Sequence, residues 1–111
     1  MPTKQQLLGV LNDGKSSAIH ADGIVSSLNM SYDRSNLEIR KLITECVVDD
    51  NWPIGSIPVS GYFLIDSQNE LDEVVASLQS RIYEIQKRID ALTTGYSLRL
   101  NSRTAGGNWP K

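Results

Sequence analysis

The chain has 111 residues, 40% hydrophobic and 22% charged, with a formal net charge of −2. That balance excludes a disordered chain and allows one modest core with a further element attached. A single cysteine, Cys46, excludes an intramolecular disulfide and any cysteine-based zinc site.

No apolar run approaches the roughly 18 residues of a membrane span, so no membrane association is expected. The opening Met-Pro-Thr-Lys-Gln-Gln has no signal-peptide apolar region, and a cytoplasmic location is expected. Charge is uneven along the chain. Residues 1–66 carry five Lys/Arg against eight Asp/Glu, and the remainder carries six against five. The first part is thus mildly acidic, which opposes a simple nucleic-acid reading.

In chain order, residues 4–12 place Leu7, Leu8, Val10 and Leu11 on one wide helical face. Gly14 is suited to a left-handed C-cap. Ala18-Ile19 is short enough for a brief strand, and Ile24, Val25 and Leu28 mark a second helix over 21–28, with His20 at its cap. Ser35-Asn36-Leu37-Glu38 fits a capping box for a third helix, with Asp33 as a competing start. Ile39, Leu42, Ile43 and Cys46 follow at i, i+3, i+4 and i+7, one stripe facing a core. This helix is expected to stop near 49–51, before Pro53. Residues 52–57 and 61–65 read as two short strands joined by a turn at Pro58-Val59-Ser60. Ser67-Gln68-Asn69-Glu70 is a second capping box, opening a long helix to about Thr94. Gly95 is the natural residue past its end. In the tail, 95–111, Tyr96, Leu98 and Leu100 alternate in a way that would suit a strand.

The expected architecture is therefore mainly α with a small β-hairpin wing. It comprises a winged helix-turn-helix over 1–66, a long coiled-coil helix over 67–94 and a tail. Residues 24–31, Ile-Val-Ser-Ser-Leu-Asn-Met-Ser, resemble the first helix and turn of winged helix-turn-helix domains. Asn29 stands where Gly is common and tolerates the left-handed conformation. Residues 53–56 followed by 61–64 look like the wing of biotin-repressor-like domains and of small phage-encoded winged helices. The resemblance covers 7–64 and departs from the family in a longer turn at 30–35.

The resemblance implies a third helix inserted in the major groove of double-stranded DNA, with the wing on backbone or minor groove. Arg34, Leu37, Lys41, Thr44 and Val48 lie opposite the apolar stripe, with Arg40 to one side. Arg34, Arg40 and Lys41 would meet phosphates or guanine edges; Asn36 would read adenine; Thr44 would touch a thymine methyl or a phosphate. Ser35 at the helix start and Ser60 in the wing complete the expected DNA-facing set. Against this, Glu38 and Glu45 are available as partners for the basic residues. Leu37, Val48 and an uncharged wing tip suit a protein contact better.

Leu71, Val75, Leu78, Ile82, Ile85, Ile89 and Leu92 are spaced 4, 3, 4, 3, 4, 3 with no polar interruption. A 3.5-residue repeat implies a left-handed supercoil, and β-branched residues at a with mainly Leu at d favour two parallel strands. Arg81 and Arg88 flank the seam at g, Gln79 and Gln86 at e. The alternative is a helix that packs back on its own domain, for which Val74 widens the first turn.

No carboxylate pair, nucleophile set or phosphate loop has usable spacing, so neither an enzyme nor a cofactor is expected. Two functions stand. One is a homodimeric DNA-binding transcriptional regulator of phage or mobile-element type. The other is a winged-helix module that binds a host or phage protein.

Overall fold

The computed structural model describes residues 2–31, 36–104 and 106. Its elements are α1 (Lys4–Val10), a short 3-10 turn (Lys15–Ser17), α2 (Ala21–Ser27), α3 (Leu37–Val48), β1 (Ile54–Ile57), β2 (Gly61–Leu64) and α4 (Gln68–Thr104). The chain is mainly helical, with one two-stranded antiparallel hairpin and a long last helix. It divides into two compact units, Met1–Val75 and Ala76–Lys111. The first unit therefore keeps the opening turns of α4, beyond the expected limit at residue 66.

Within the first unit, α1 begins on a capping box that sequence reading did not use. The Thr3 hydroxyl accepts from the Gln6 N–H, and the Gln6 side chain accepts from the Thr3 N–H at 2.8 Å. The helix ends at Leu11, in extended conformation. Gly14 has positive φ (86°) but ψ 150°, outside the left-handed helical region, and it opens the 3-10 turn instead of capping α1. α2 closes in a Schellman motif. Asn29 is left-handed (φ 53°), its N–H reaches the Ser26 carbonyl, and the Met30 N–H reaches the Val25 carbonyl. His20 occupies the N-cap of α2 with no side-chain hydrogen bond to the helix.

The core forms where the helical stripes meet. Leu7 and Leu11, Ile24 and Val25, and the whole α3 stripe of Ile39, Leu42, Ile43 and Cys46 are buried together with Ile54. Burial raises the Cys46 thiol pKa above its ordinary value, the behaviour of a small apolar core residue. β1 and β2 pair from Ile54↔Leu64 to Ile57↔Gly61. Ile19 adds a single antiparallel bridge to the free edge of β2 through two hydrogen bonds with Tyr62, 2.9 and 2.8 Å. The brief strand expected at Ala18-Ile19 is therefore one bridge long. Gly61 serves both the turn and this edge: its φ is +103°, and a Cβ there would lie 2.6 Å from the Ile19 carbonyl oxygen.

The hairpin also seats the start of α4. A Cβ on Gly55 would meet Ile65, Phe63 and Val74, each at 3.0 Å, so a glycine lets these side chains close over β1. Val74 and Phe63 are buried. The capping box at Ser67 forms in altered form. The Ser67 hydroxyl accepts from the Glu70 N–H, but Glu70 reaches past Ser67. One carboxylate oxygen accepts from the Asp66 N–H and the other from the Lys15 N–H, both at 2.8 Å. These two donors, Lys15 foremost, hold the Glu70 carboxyl below its ordinary pKa.

The second unit is helical through Thr104, which corrects two expectations. Gly95 does not end α4, and Tyr96, Leu98 and Leu100 form no strand. A glycine stops a helix by adopting positive φ, and Gly95 is not among the positive-φ residues; Gly106 (φ 78°) is, and its N–H returns to the Arg103 carbonyl. The hydroxyls of Thr93, Ser97 and Thr104 donate back to carbonyls four residues earlier, so these residues do not compete with the helix. No helix among the described residues is long and apolar enough to cross a membrane.

Candidate nucleic-acid interface

The feature that organises this face is the orientation of α3. Its apolar stripe is consumed by the core, so Leu37, Arg40, Lys41, Thr44 and Glu45 are left together around a shallow surface groove. All five are exposed. Sequence reading placed four of them there, and Glu45 adds a carboxylate to the same groove.

Charge pairing decides which basic groups are available. Lys4 bridges Asp50 at 2.7 Å, and that hydrogen bond raises its pKa. Lys15 bridges Glu73 at 2.7 Å. Among the described residues, Arg40 and Lys41 have no carboxylate within ion-pair distance. The intrahelical pairs considered for Glu38 and Glu45 are thus not formed. Two of the first unit's cations are tied down at its periphery, and the two on α3 face solvent.

The other expected members fare differently. Asn36 is the N-cap of α3 in left-handed conformation (φ 52°), and its amide donates to the Asp22 carboxylate at 2.9 Å. That bond joins the start of α3 to α2 and occupies a donor that adenine recognition would need. The Thr44 hydroxyl donates to the Arg40 carbonyl at 2.9 Å, leaving its methyl and an acceptor lone pair outward. Ser60 closes the hairpin turn, its N–H bonding the Ile57 carbonyl at 2.9 Å. It lines a separate recess with Lys15, Ser16, Ala18 and Glu70, sharing no residue with the α3 groove. Arg34, Ser35 and the competing cap Asp33 lie outside the described residues.

Asp22, Lys15 and Glu70 are the polar residues that organise this unit without having been singled out together. The capping-box spacing marked Glu70 in advance. Nothing local marks its pairing with Lys15, which is 55 positions away. Among the described residues no group of three or more His, Cys, Asp or Glu side chains is placed to hold a metal ion.

No family model matches the chain, and neither the curated proteins nor the solved structures include one significantly similar to it. The order helix, bridged edge, helix, helix, hairpin is compatible with a winged helix.

On α4, the heptad positions Leu71, Val75, Leu78, Ile82, Ile85, Ile89 and Leu92 are all exposed, between 40% and 67%. Val74 alone of this helix is buried. Within the first unit Val74 is packed into the domain, whereas Leu71 and Val75 are each 40% exposed.

Proposed function

We propose that the protein is a DNA-binding regulator that acts as a pair of copies, its first unit a winged helix of the biotin-repressor-like or small phage-encoded type. On that reading α3 enters the major groove and α4 joins the copies. The observation that carries it is that Arg40 and Lys41, exposed and without an ion pair among the described residues, lie on a helix whose opposite face is committed to the core. Two half-sites on one duplex would offset the weak charge of each copy through effective concentration. The phage or mobile-element setting, and with it a bacterial cytoplasm, rests on the resemblance over 7–64.

A specific observation favours the second reading, a surface for a protein partner. Leu37, Val48 and Val59 are 47%, 68% and 88% exposed, and Asn36 is occupied by Asp22. Mobility shift against the DNA upstream of its own gene, at roughly 50 and 200 mM salt, separates the two. DNA binding gives a specific shift that weakens steeply at the higher salt and is abolished by Arg40→Ala with Lys41→Ala. Absence of any shift at micromolar protein in the lower salt would overturn the DNA reading and leave the protein-binding one.

A further inference from the structure

From Leu78 onward, all described side chains of α4 are exposed or, at Gly95 and Ser102, intermediate. Because the helix continues past Gly95, the apolar seam of the second unit does not stop at Leu92. Leu78, Ile82, Ile85, Ile89, Leu92, Tyr96 and Leu100 are spaced 4, 3, 4, 3, 4, 4. Tyr96 is the next a position. The final step of four is a stutter, which relaxes the supercoil toward a straight helix at its end. In the unbroken heptad the next d and a positions after Tyr96 are Arg99 and Arg103, so charge closes the apolar stripe at this end.

Gly95 gives this layer its shape. It sits inside a helix, where glycine is unfavourable relative to alanine, and a Cβ there would meet nothing within 4 Å. The result is an apolar notch walled by Ala91, Leu92, Tyr96 and the stems of Arg88 and Arg99. In a parallel pair, a residue at a inserts between d, g, a and the next d of its partner. At this level those four are Leu92, Gly95, Tyr96 and Arg99, so the notch is the hole for a partner's a residue. The a residue at that height is the largest in the seam, an aromatic ring, and the g residue beside its hole is the smallest available.

We infer that the surface from Leu78 to Leu100 is covered by a second copy of this chain, parallel and in register, with each Tyr96 seated in the notch beside the other copy's Gly95. A second copy is the occupant because it repeats the 4,3 spacing over the same length of about 33 Å at 1.5 Å per residue. The g and e flanks do not oppose it, and the like-charged Arg99 pair at d marks where the apolar contact ends. In a parallel pair Arg81 faces Gln86 and Arg88 faces Thr93 across the seam, whereas an antiparallel pair sets Arg81 against Arg88. This rests on the two-copy half of the proposed function and not on DNA binding. Failure of a mobility shift leaves it standing.

The test uses the full chain carrying Leu92→Cys, oxidised mildly and run without reductant, with the unmodified chain as the control for buried Cys46. A parallel, in-register pair brings the two introduced thiols together and yields a cross-linked dimer. No cross-link, or a monomer in sedimentation at tens of micromolar, overturns the inference. Tyr96→Ala is expected to raise the dimer dissociation constant by about tenfold or more, from the lost aromatic burial. Gly95→Leu fills the notch while improving helix propensity. It is expected to keep or raise helicity by circular dichroism while weakening the pair. Equal or tighter pairing in that variant would overturn the seating of Tyr96.

Discussion

Among the described residues, three asparagines and three glycines take positive φ: Asn29, Asn36 and Asn51, and Gly14, Gly61 and Gly106. At Asn29 the Schellman closure of α2 requires that conformation, so Asn29→Gly is expected to be near neutral and Asn29→Ala to cost about 1 kcal/mol. Gly61 has less latitude, because positive φ and a 2.6 Å approach to the Ile19 carbonyl act together. Gly61→Ala is expected to cost at least about 2 kcal/mol, read as a fall on the order of 10 °C in Tm by thermal melting. Glu70 supplies a pH dependence whose sign follows from its two N–H donors. Its pKa is lowered in the folded chain, so its contribution is complete above the ordinary glutamate range and is lost as pH falls through the lowered value. Acid titration of stability below about pH 4.3 is expected to be shallower in Glu70→Gln, and an unchanged acid limb would remove Glu70 from that role.

At the scale of elements, period and capping predict much of what forms. Ile39, Leu42, Ile43 and Cys46 announced the buried face of α3, and all four are in the core. The same geometry placed Leu37, Arg40, Lys41 and Thr44 on one outer groove. Where elements end was less legible. Tyr96, Leu98 and Leu100 satisfy period two, but Tyr96 and Leu100 equally satisfy i, i+4. The competition was decided by a helix already running through Thr93, since extending a helix adds a hydrogen bond per residue while starting a strand requires a partner. Leu42→Ala or Ile43→Ala, each on the buried stripe, is expected to cost 2 to 5 kcal/mol in denaturant unfolding, roughly the range for a large-to-small core change.

For the whole molecule, the question is what surface remains once the first unit has closed on its core. Two kinds remain exposed, the basic groove of α3 and the apolar seam of α4. A charge at the centre of the seam tests their separation. Ile82→Lys is expected to yield monomers in sedimentation while thermal melting of the first unit is retained, because Ile82 is 66% exposed and makes no part of the core. A dimer unchanged by Ile82→Lys would mean that another surface joins the copies. If the two-copy reading holds, the same variant weakens a specific mobility shift through lost avidity.

Periodic signals were sufficient for the helical stripes, the hairpin and the heptad seam, because side-chain direction in a helix or strand follows from local backbone geometry alone. Proximity between distant residues was not available in that way. The reach of Glu70 to Lys15, the bond from Asn36 to Asp22 and the neutralisation of Lys4 by Asp50 and of Lys15 by Glu73 arise from packing. No spacing rule encodes which loop comes to rest beside which helix. Those pairings tie down Lys4 and Lys15, while Arg40 and Lys41 on α3 have no ion pair among the described residues, a fact of tertiary structure rather than of composition.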